Sequence, residues 1–126
     1  MTDEELVAMA IEAARRAYAP VSDFPVGAAL LAEDGRVFTG CNVESPSLLH
    51  VVCAERVALL KAVSEGARDF ETMAIHAPRR DDIAPCGLCR QMMVEFAPHL
   101  RVLLVRDADD WRETDIAALL PDAFRL

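Results

Sequence analysis

The chain has 126 residues, enough for one domain and too few for a second independent core. Its residues are 53% hydrophobic and 27% charged, which excludes a disordered tail, and no apolar run approaches the ~18 residues of a membrane span. Thirteen basic against 21 acidic side chains give a formal charge of −8, a poor field for polymeric DNA or RNA and a suitable one for a small, near-neutral partner.

Met1 to Glu5 is acidic where a secretory leader is basic and then apolar, so the expected compartment is the cytoplasm. Thr2 and Glu5 have capping-box spacing. Leu6, Met9, Ala10, Ala13, Ala14 and Ala17 follow at helical spacing, predicting a helix that Pro20 ends. Val26 to Leu31 and Arg36 to Cys41 read as strands, and Glu33-Asp34-Gly35 between them predicts a hairpin. A second helix runs from Cys53 to Glu65 and stops at Gly66. Phe70 to Ala77 is strand-like. A third helix starts near Pro85, continues to Phe96 and is stopped by Pro98. Arg101 to Arg106 is the continuous apolar run of a buried strand, and Thr114 to Leu120 predicts a short last helix before Pro121. Met92-Met93 and Leu119-Leu120 read as core, and Asp107, Asp109 and Asp110 as a solvated loop. With no repeat or linker to divide the chain, this order predicts a single 1–126 domain. Its fold class is α/β, a three-layer α/β/α sandwich with a mixed central sheet.

The chemistry lies in the cysteines, at positions 41, 53, 86 and 89. In a reducing compartment, clustered thiols ligate metal or react more often than they form structural disulfides. Cys86 and Cys89 are three apart at a helix start, so both sulfurs face one side, where the helix N-terminus favours thiolate. Cys53 also opens a helix, two residues before Glu55. Two such starts packed together bring three thiolates to one point and leave a fourth tetrahedral position for water, the arrangement of a catalytic zinc. Three thiolates on Zn²⁺ leave a net −1, which helix N-termini and the Arg56 guanidinium offset. Glu55 is then placed to take a proton from water on the metal and deliver it to a substrate nitrogen. Two plainer readings compete. A redox pair at Cys86 and Cys89 explains neither Cys53 nor Glu55. A closed structural site would recruit Cys41, which at the end of a strand reads equally as a small buried hydrophobe.

The blocks that carry a resemblance run the length of the chain: Ala17-Tyr18-Ala19-Pro20, Phe24-Pro25-Val26-Gly27-Ala28-Ala29-Leu30 and Thr39-Gly40-Cys41-Asn42-Val43-Glu44. They continue through Cys53-Ala54-Glu55-Arg56 and Pro85-Cys86-Gly87-Leu88-Cys89-Arg90-Gln91 to Leu119-Leu120-Pro121-Asp122-Ala123-Phe124. In this order they resemble the cytidine deaminase family, the small homotetrameric kind with three cysteine ligands, whose zinc chemistry uses a non-ligand Glu and a P-C-x-x-C element. The resemblance implies that Cys53, Cys86 and Cys89 hold Zn²⁺, Glu55 shuttles protons and Arg56 hydrogen-bonds the ligands. It implies that Phe24 stacks on the pyrimidine, that Asn42 and Glu44 bind the ribose hydroxyl, and that the Ala54 N–H meets the ring carbonyl. Phe124 would enter a neighbouring subunit's site. The expected substrate is a small-molecule nucleoside, with no nucleic-acid polymer or membrane partner.

One stretch departs from the family. Where it typically runs Asn-Ala-Ser-Tyr-Gly-Leu-Thr, this chain has Ser45-Pro46-Ser47-Leu48-Leu49-His50-Val51-Val52, losing a Gly, replacing a Tyr by Leu48 and gaining a Pro. In the family this segment touches the nucleoside, partly across a subunit interface. The expectation is therefore altered sugar recognition, with Leu48 at the neighbouring subunit, His50 lining the sugar pocket, and the zinc ligands unchanged. His76 and His99 read as structural or solvated. The leading function is hydrolytic deamination of cytidine and deoxycytidine in pyrimidine salvage. The alternatives are a modified or sugar-altered aminopyrimidine nucleoside and a non-catalytic zinc-stabilised binding module. A deaminase of tRNA or DNA is disfavoured by the charge and by Cys53, where that class generally has His.

Overall fold

A computed structural model describes residues 1–47 and 50–126 of the chain. Helix α1 (Asp3–Ala14) begins at the expected capping box: the Thr2 hydroxyl accepts from Glu5 N at 3.1 Å, and the Glu5 carboxylate accepts from Thr2 N at 3.0 Å. The helix ends well before Pro20, as Arg16 N and Ala17 N bond back to Ala13 O and Ala14 O. Tyr18 is then drawn into an extended bridge with Val43, so a tertiary ladder, not the proline, stops the helix.

Strands β1 (Gly27–Ala32) and β2 (Val37–Cys41) form the expected antiparallel hairpin. Helix α2 (Ala54–Ser64), strand β3 (Phe70–His76), helix α3 (Gly87–Phe96) and strand β4 (Arg101–Asp107) follow within a residue or two of their predicted limits. A strand the sequence reading missed comes next, β5 (Asp110–Asp115). Its residues are polar and mostly exposed, so no apolar alternation marks it; it exists by pairing with β4. Asp109 and the ends of that hairpin are exposed, as expected of the acidic run, but Asp107 and Asp110 belong to strands. The last helix, α4 (Ile116–Leu119), is shorter than predicted, because the Asp115 carboxylate caps it by accepting from Ala118 N at 2.8 Å.

The five strands order β2-β1-β3-β4-β5, with β3 and β4 parallel and the other neighbours antiparallel. Both faces are covered. Leu6, Val7 and Ala10 of α1 pack on Ala29, Leu31, Leu103 and Val105, while α2 and α3 pack on Ala28, Leu30, Met73 and Leu104. The alternation of neighbours along β1 and β4 is the physical form of their unbroken apolar runs. Among the described residues, no helix is long and apolar enough to cross a membrane. His76 is buried and its Nδ1 lies 3.1 Å from Val105 O, whereas His99 is exposed.

Two glycines let the helices sit down on the sheet. A Cβ on Gly27 would lie 2.1 Å from Ala10 O in α1, and a Cβ on Gly40 would lie 2.5 Å from Ala54 O in α2. Both obstacles are backbone and cannot swing aside. Gly40→Ala should therefore lower stability by about 3 kcal/mol, roughly 10 °C in Tm, by thermal unfolding. Gly87→Ala, whose Cβ would meet nothing within 4 Å, should leave Tm unchanged or slightly raised.

Candidate active site

Strands β2 and β3 both run antiparallel to β1, so their C-terminal ends reach the same edge of the sheet, in the row Cys41, Gly27, His76 and Val105. The helices that follow them start there. Cys53 is the N-cap of α2, Cys86 is the N-cap of α3, and Cys89 lies in the first turn of α3. Neither cap side chain bonds the helix backbone, which leaves both sulfurs directed elsewhere. They point at each other: Cys53 Sγ is 3.6 Å from Cys86 Sγ, Cys86 Sγ is 3.4 Å from Cys89 Sγ, and all three lie within 4.8 Å of one another. A tetrahedral zinc with bonds of about 2.3 Å needs sulfur separations of about 3.8 Å. These three sulfurs fit it with small adjustments. Cys41, at the end of β2, is outside the cluster, so the closed four-cysteine site is not formed.

The electrostatics agree. The Cys53 thiol is drawn down to about 5, first by the hydrogen bond from the Cys89 thiol and then by Arg56, whose Nη2 lies 3.7 Å from the sulfur. Cys89 is held above the usual thiol range, because it shares its proton with Cys53 and is buried. Arg56 also donates to Val51 O at 3.4 Å, and its buried Nε has no protein partner. Glu55, in the first turn of α2, is 5% exposed. Burial pushes its carboxyl up to about 7, with the neighbouring Cys53 charge adding to the rise.

A cavity of about 240 Å³ opens onto this cluster, walled by Phe24, Asn42, Glu44, Val52, Ala54 and Glu55 among others. Its outer wall is built by a short ladder. Glu44 N donates to Tyr18 O at 2.8 Å, and Val43 and Val52 exchange backbone bonds at 2.9 and 3.0 Å. That ladder fixes Asn42 and Glu44 on one side and delivers the chain to Cys53 on the other. Asn42 Oδ1 accepts from Val26 N at 2.8 Å and its Nδ2 donates to Phe24 O at 2.9 Å. Glu44 accepts from Val21 N, Ser22 N and the Ser22 hydroxyl, which holds its carboxyl below the usual range. The Ala54 N–H lies in the first turn of α2, where a helix has no internal partner for it.

The expected site residues Phe24, Asn42, Glu44, Cys53, Ala54, Glu55 and Cys86 thus wall one cavity, with Cys89 and Arg56 just behind it. Phe124 is 70% exposed and lies outside the wall, and Leu48 falls outside the described residues. His50 is exposed and lies outside the wall that this single chain forms. Ser22, Ile83 and Ala84 were missed by the sequence reading, since no spacing or charge pattern marks them. A roomier hollow of about 380 Å³ lies at the opposite end of the sheet, beside Glu33, Asp69 and Arg101. Among the described residues, only the three cysteines form a cluster able to hold a metal ion, so the chemistry and not the volume decides the site.

Residues 1–105 match the family model described as the cytidine and deoxycytidylate deaminase zinc-binding region. A cytidine deaminase from Sporosarcina psychrophila is 46% identical, the match covering 98% of this chain and 92% of the relative. A cytidine deaminase from Halalkalibacterium halodurans is 45% identical over 98% of this chain and 95% of its own. The crystal structure of a cytidine deaminase from Burkholderia pseudomallei superposes with a TM-score of 0.93 at 47% identity, covering 98% of this chain and all of the other. Metal analysis of purified protein should find about one zinc per chain. Cys53→Ser and Cys89→Ser should each reduce it to below about a tenth, and Cys41→Ser should leave it unchanged.

Proposed function

The chain belongs to the cytidine and deoxycytidylate deaminase family, and on that premise we propose that it hydrolyses cytidine and deoxycytidine to uridine and deoxyuridine with release of ammonia. The observation that carries this is Glu55: a carboxyl buried beside three convergent thiols, pushed up to about 7, at the inner end of a ring-sized cavity. A carboxyl so poised can both accept and return a proton near neutral pH.

Cys53, Cys86 and Cys89 hold the zinc, which when bound lowers the pKa of a water ligand and so supplies the nucleophile near neutral pH. Glu55 takes one proton from the attacking water and passes it to ring N3. It then takes the second from the oxygen newly bonded to C4 as the carbonyl forms and passes it to the departing amine, so that both protons of the water are used as the C4–N bond breaks. Arg56 donates to the Cys53 sulfur and offsets the excess negative charge of three thiolates. The Ala54 N–H, which has no partner within the helix, donates to the ring carbonyl, and Phe24 offers a face for the pyrimidine to stack on. Asn42 keeps one N–H after its two internal bonds, and Glu44 keeps one acceptor position after three; these are the groups proposed for the sugar hydroxyl.

Charge separates nucleoside from nucleotide. Among the described residues of the cavity wall there is no Lys, Arg or His, and the ionisable carboxylates are Glu44 and Glu55. A phosphate would find no cation and two acidic neighbours, which supports an uncharged nucleoside over deoxycytidylate. The chain acts as a single unit in a homotetramer, supported by the exposed apolar side chains of Leu88 and Phe124 at 68% and 70%, with Phe124 reaching a neighbour's site. Four free thiols suit a cytoplasmic salvage enzyme.

Ammonia release should be measured for cytidine, deoxycytidine and their 5′-monophosphates. Both nucleosides should turn over, with kcat/KM at least about a hundredfold lower for the monophosphates. Glu55→Gln should keep its zinc and lose about 10³-fold in kcat. Normal turnover by that variant would sink the mechanism. Light scattering should give a mass four times that of the chain.

A further inference from the structure

The Pro20 to Asp23 turn beside the cavity contains a side chain that no part of the chemistry above uses. The Ser22 hydroxyl lies 2.6 Å from Glu44 Oε2 and 3.1 Å from Phe24 N. The N–H of Phe24 can only donate, so it occupies a lone pair of the hydroxyl and leaves the hydroxyl proton to Glu44. The other carboxylate oxygen, Oε1, accepts from Ser22 N at 2.9 Å and from Val21 N at 3.2 Å. All the donors to this carboxylate come from one turn. The turn itself is fixed by Asp23, which sits in the left-handed region at φ 54°, bonds its N–H to Ala19 O at 2.9 Å and is bridged by Arg79 at 2.7 Å.

We propose that Ser22 is a positioning residue. Through a single hydroxyl it orients the Glu44 carboxylate and anchors the backbone of Phe24, and so sets the affinity for a sugar hydroxyl. The inference rests on the nucleoside reading above. With the hydroxyl bond to Oε2, the carboxylate cannot rotate about its Cγ–Cδ bond, and its remaining acceptor position has a fixed direction. The hydrogen bonds from Ser22 and Val21 also hold Glu44 in the ionised form, the form that can only accept. Removing the hydroxyl frees one end of the carboxylate and leaves the Phe24 N–H without its partner. Threonine at this position would retain both bonds.

The test compares 2′-deoxycytidine with 2′,3′-dideoxycytidine, which lacks the 3′-hydroxyl, in steady-state assays of the zinc-loaded parent, Ser22→Ala, Ser22→Thr and Glu44→Gln. For Ser22→Ala, kcat/KM on deoxycytidine should fall about tenfold, chiefly through KM, and on dideoxycytidine by less than about twofold. Ser22→Thr should recover to within about threefold of the parent, and zinc content should stay at the parent value in every variant. A loss confined to the hydroxylated sugar in Glu44→Gln, together with an equal loss on both substrates or none at all in Ser22→Ala, overturns the role of Ser22 and leaves the nucleoside reading standing. A fully zinc-loaded parent that turns over neither nucleoside overturns that reading and the proposal with it.

Discussion

The approach of α2 to the sheet at Gly40 is the contact on which the site depends. With no side chain there, the Ala54 carbonyl and the Ala58 nitrogen come within 2.5 and 2.6 Å of the position a Cβ would take. That closeness fixes the depth at which the first turn of α2 begins, and with it the height of Cys53, Ala54 and Glu55 above the sheet. Helix α3 is set independently, through Met93 and Val94 in the same core. Parallel strand directions bring both helix starts to one edge, and close packing then brings three sulfurs together. None of this requires the ion to pull the fold into shape.

The cavity wall is built of groups already committed to one another. Asn42 ties Phe24 and Val26, Glu44 ties Val21 and Ser22, and the ladder of Tyr18, Val43 and Val52 ties both to the start of α2. Each polar side chain keeps only a little unused hydrogen-bonding capacity, and that remainder has a direction. This is preorganisation in its simplest form: the cost of orienting donors and acceptors is met during folding, not during binding. Glu55 differs. It is buried and shifted by its surroundings, which suits a group that must change protonation state in place of one that must stay fixed.

Much of this was legible in the sequence because it depended on local rules. The capping box at Thr2 and Glu5, the Asp34-Gly35 turn, and the spacing of Cys86 and Cys89 each act over a few residues, and each appears where expected. The convergence of Cys53 on the other two thiols was inferred from paired helix starts, and the parallel directions of β2 and β3 are what realise it. What was not legible depended on partners distant along the chain. Strand β5 has a polar sequence and exists because β4 offers an unpaired edge. Helix α1 stops early because Asn42 and Glu44 claim the backbone of Tyr18. Asn42 and Glu44 were readable only through a resemblance, since their structural bonds span 16 to 23 residues of sequence. The same holds for Ser22, an ordinary turn residue until Glu44 is folded against it.

Cys53 and Cys86 are 33 positions apart, and between them lie all of α2 and β3. An ion held by both acts as a reversible cross-link, closing a long loop without a covalent bond and removing conformations mainly from the unfolded chain. Its contribution to folding rises with the logarithm of free zinc concentration, where that of a disulfide is fixed once formed. The lifetime of this fold in a cell is therefore tied to metal supply. A chain short of zinc would lose its nucleophile at once and would keep a preformed fold with a smaller margin of stability.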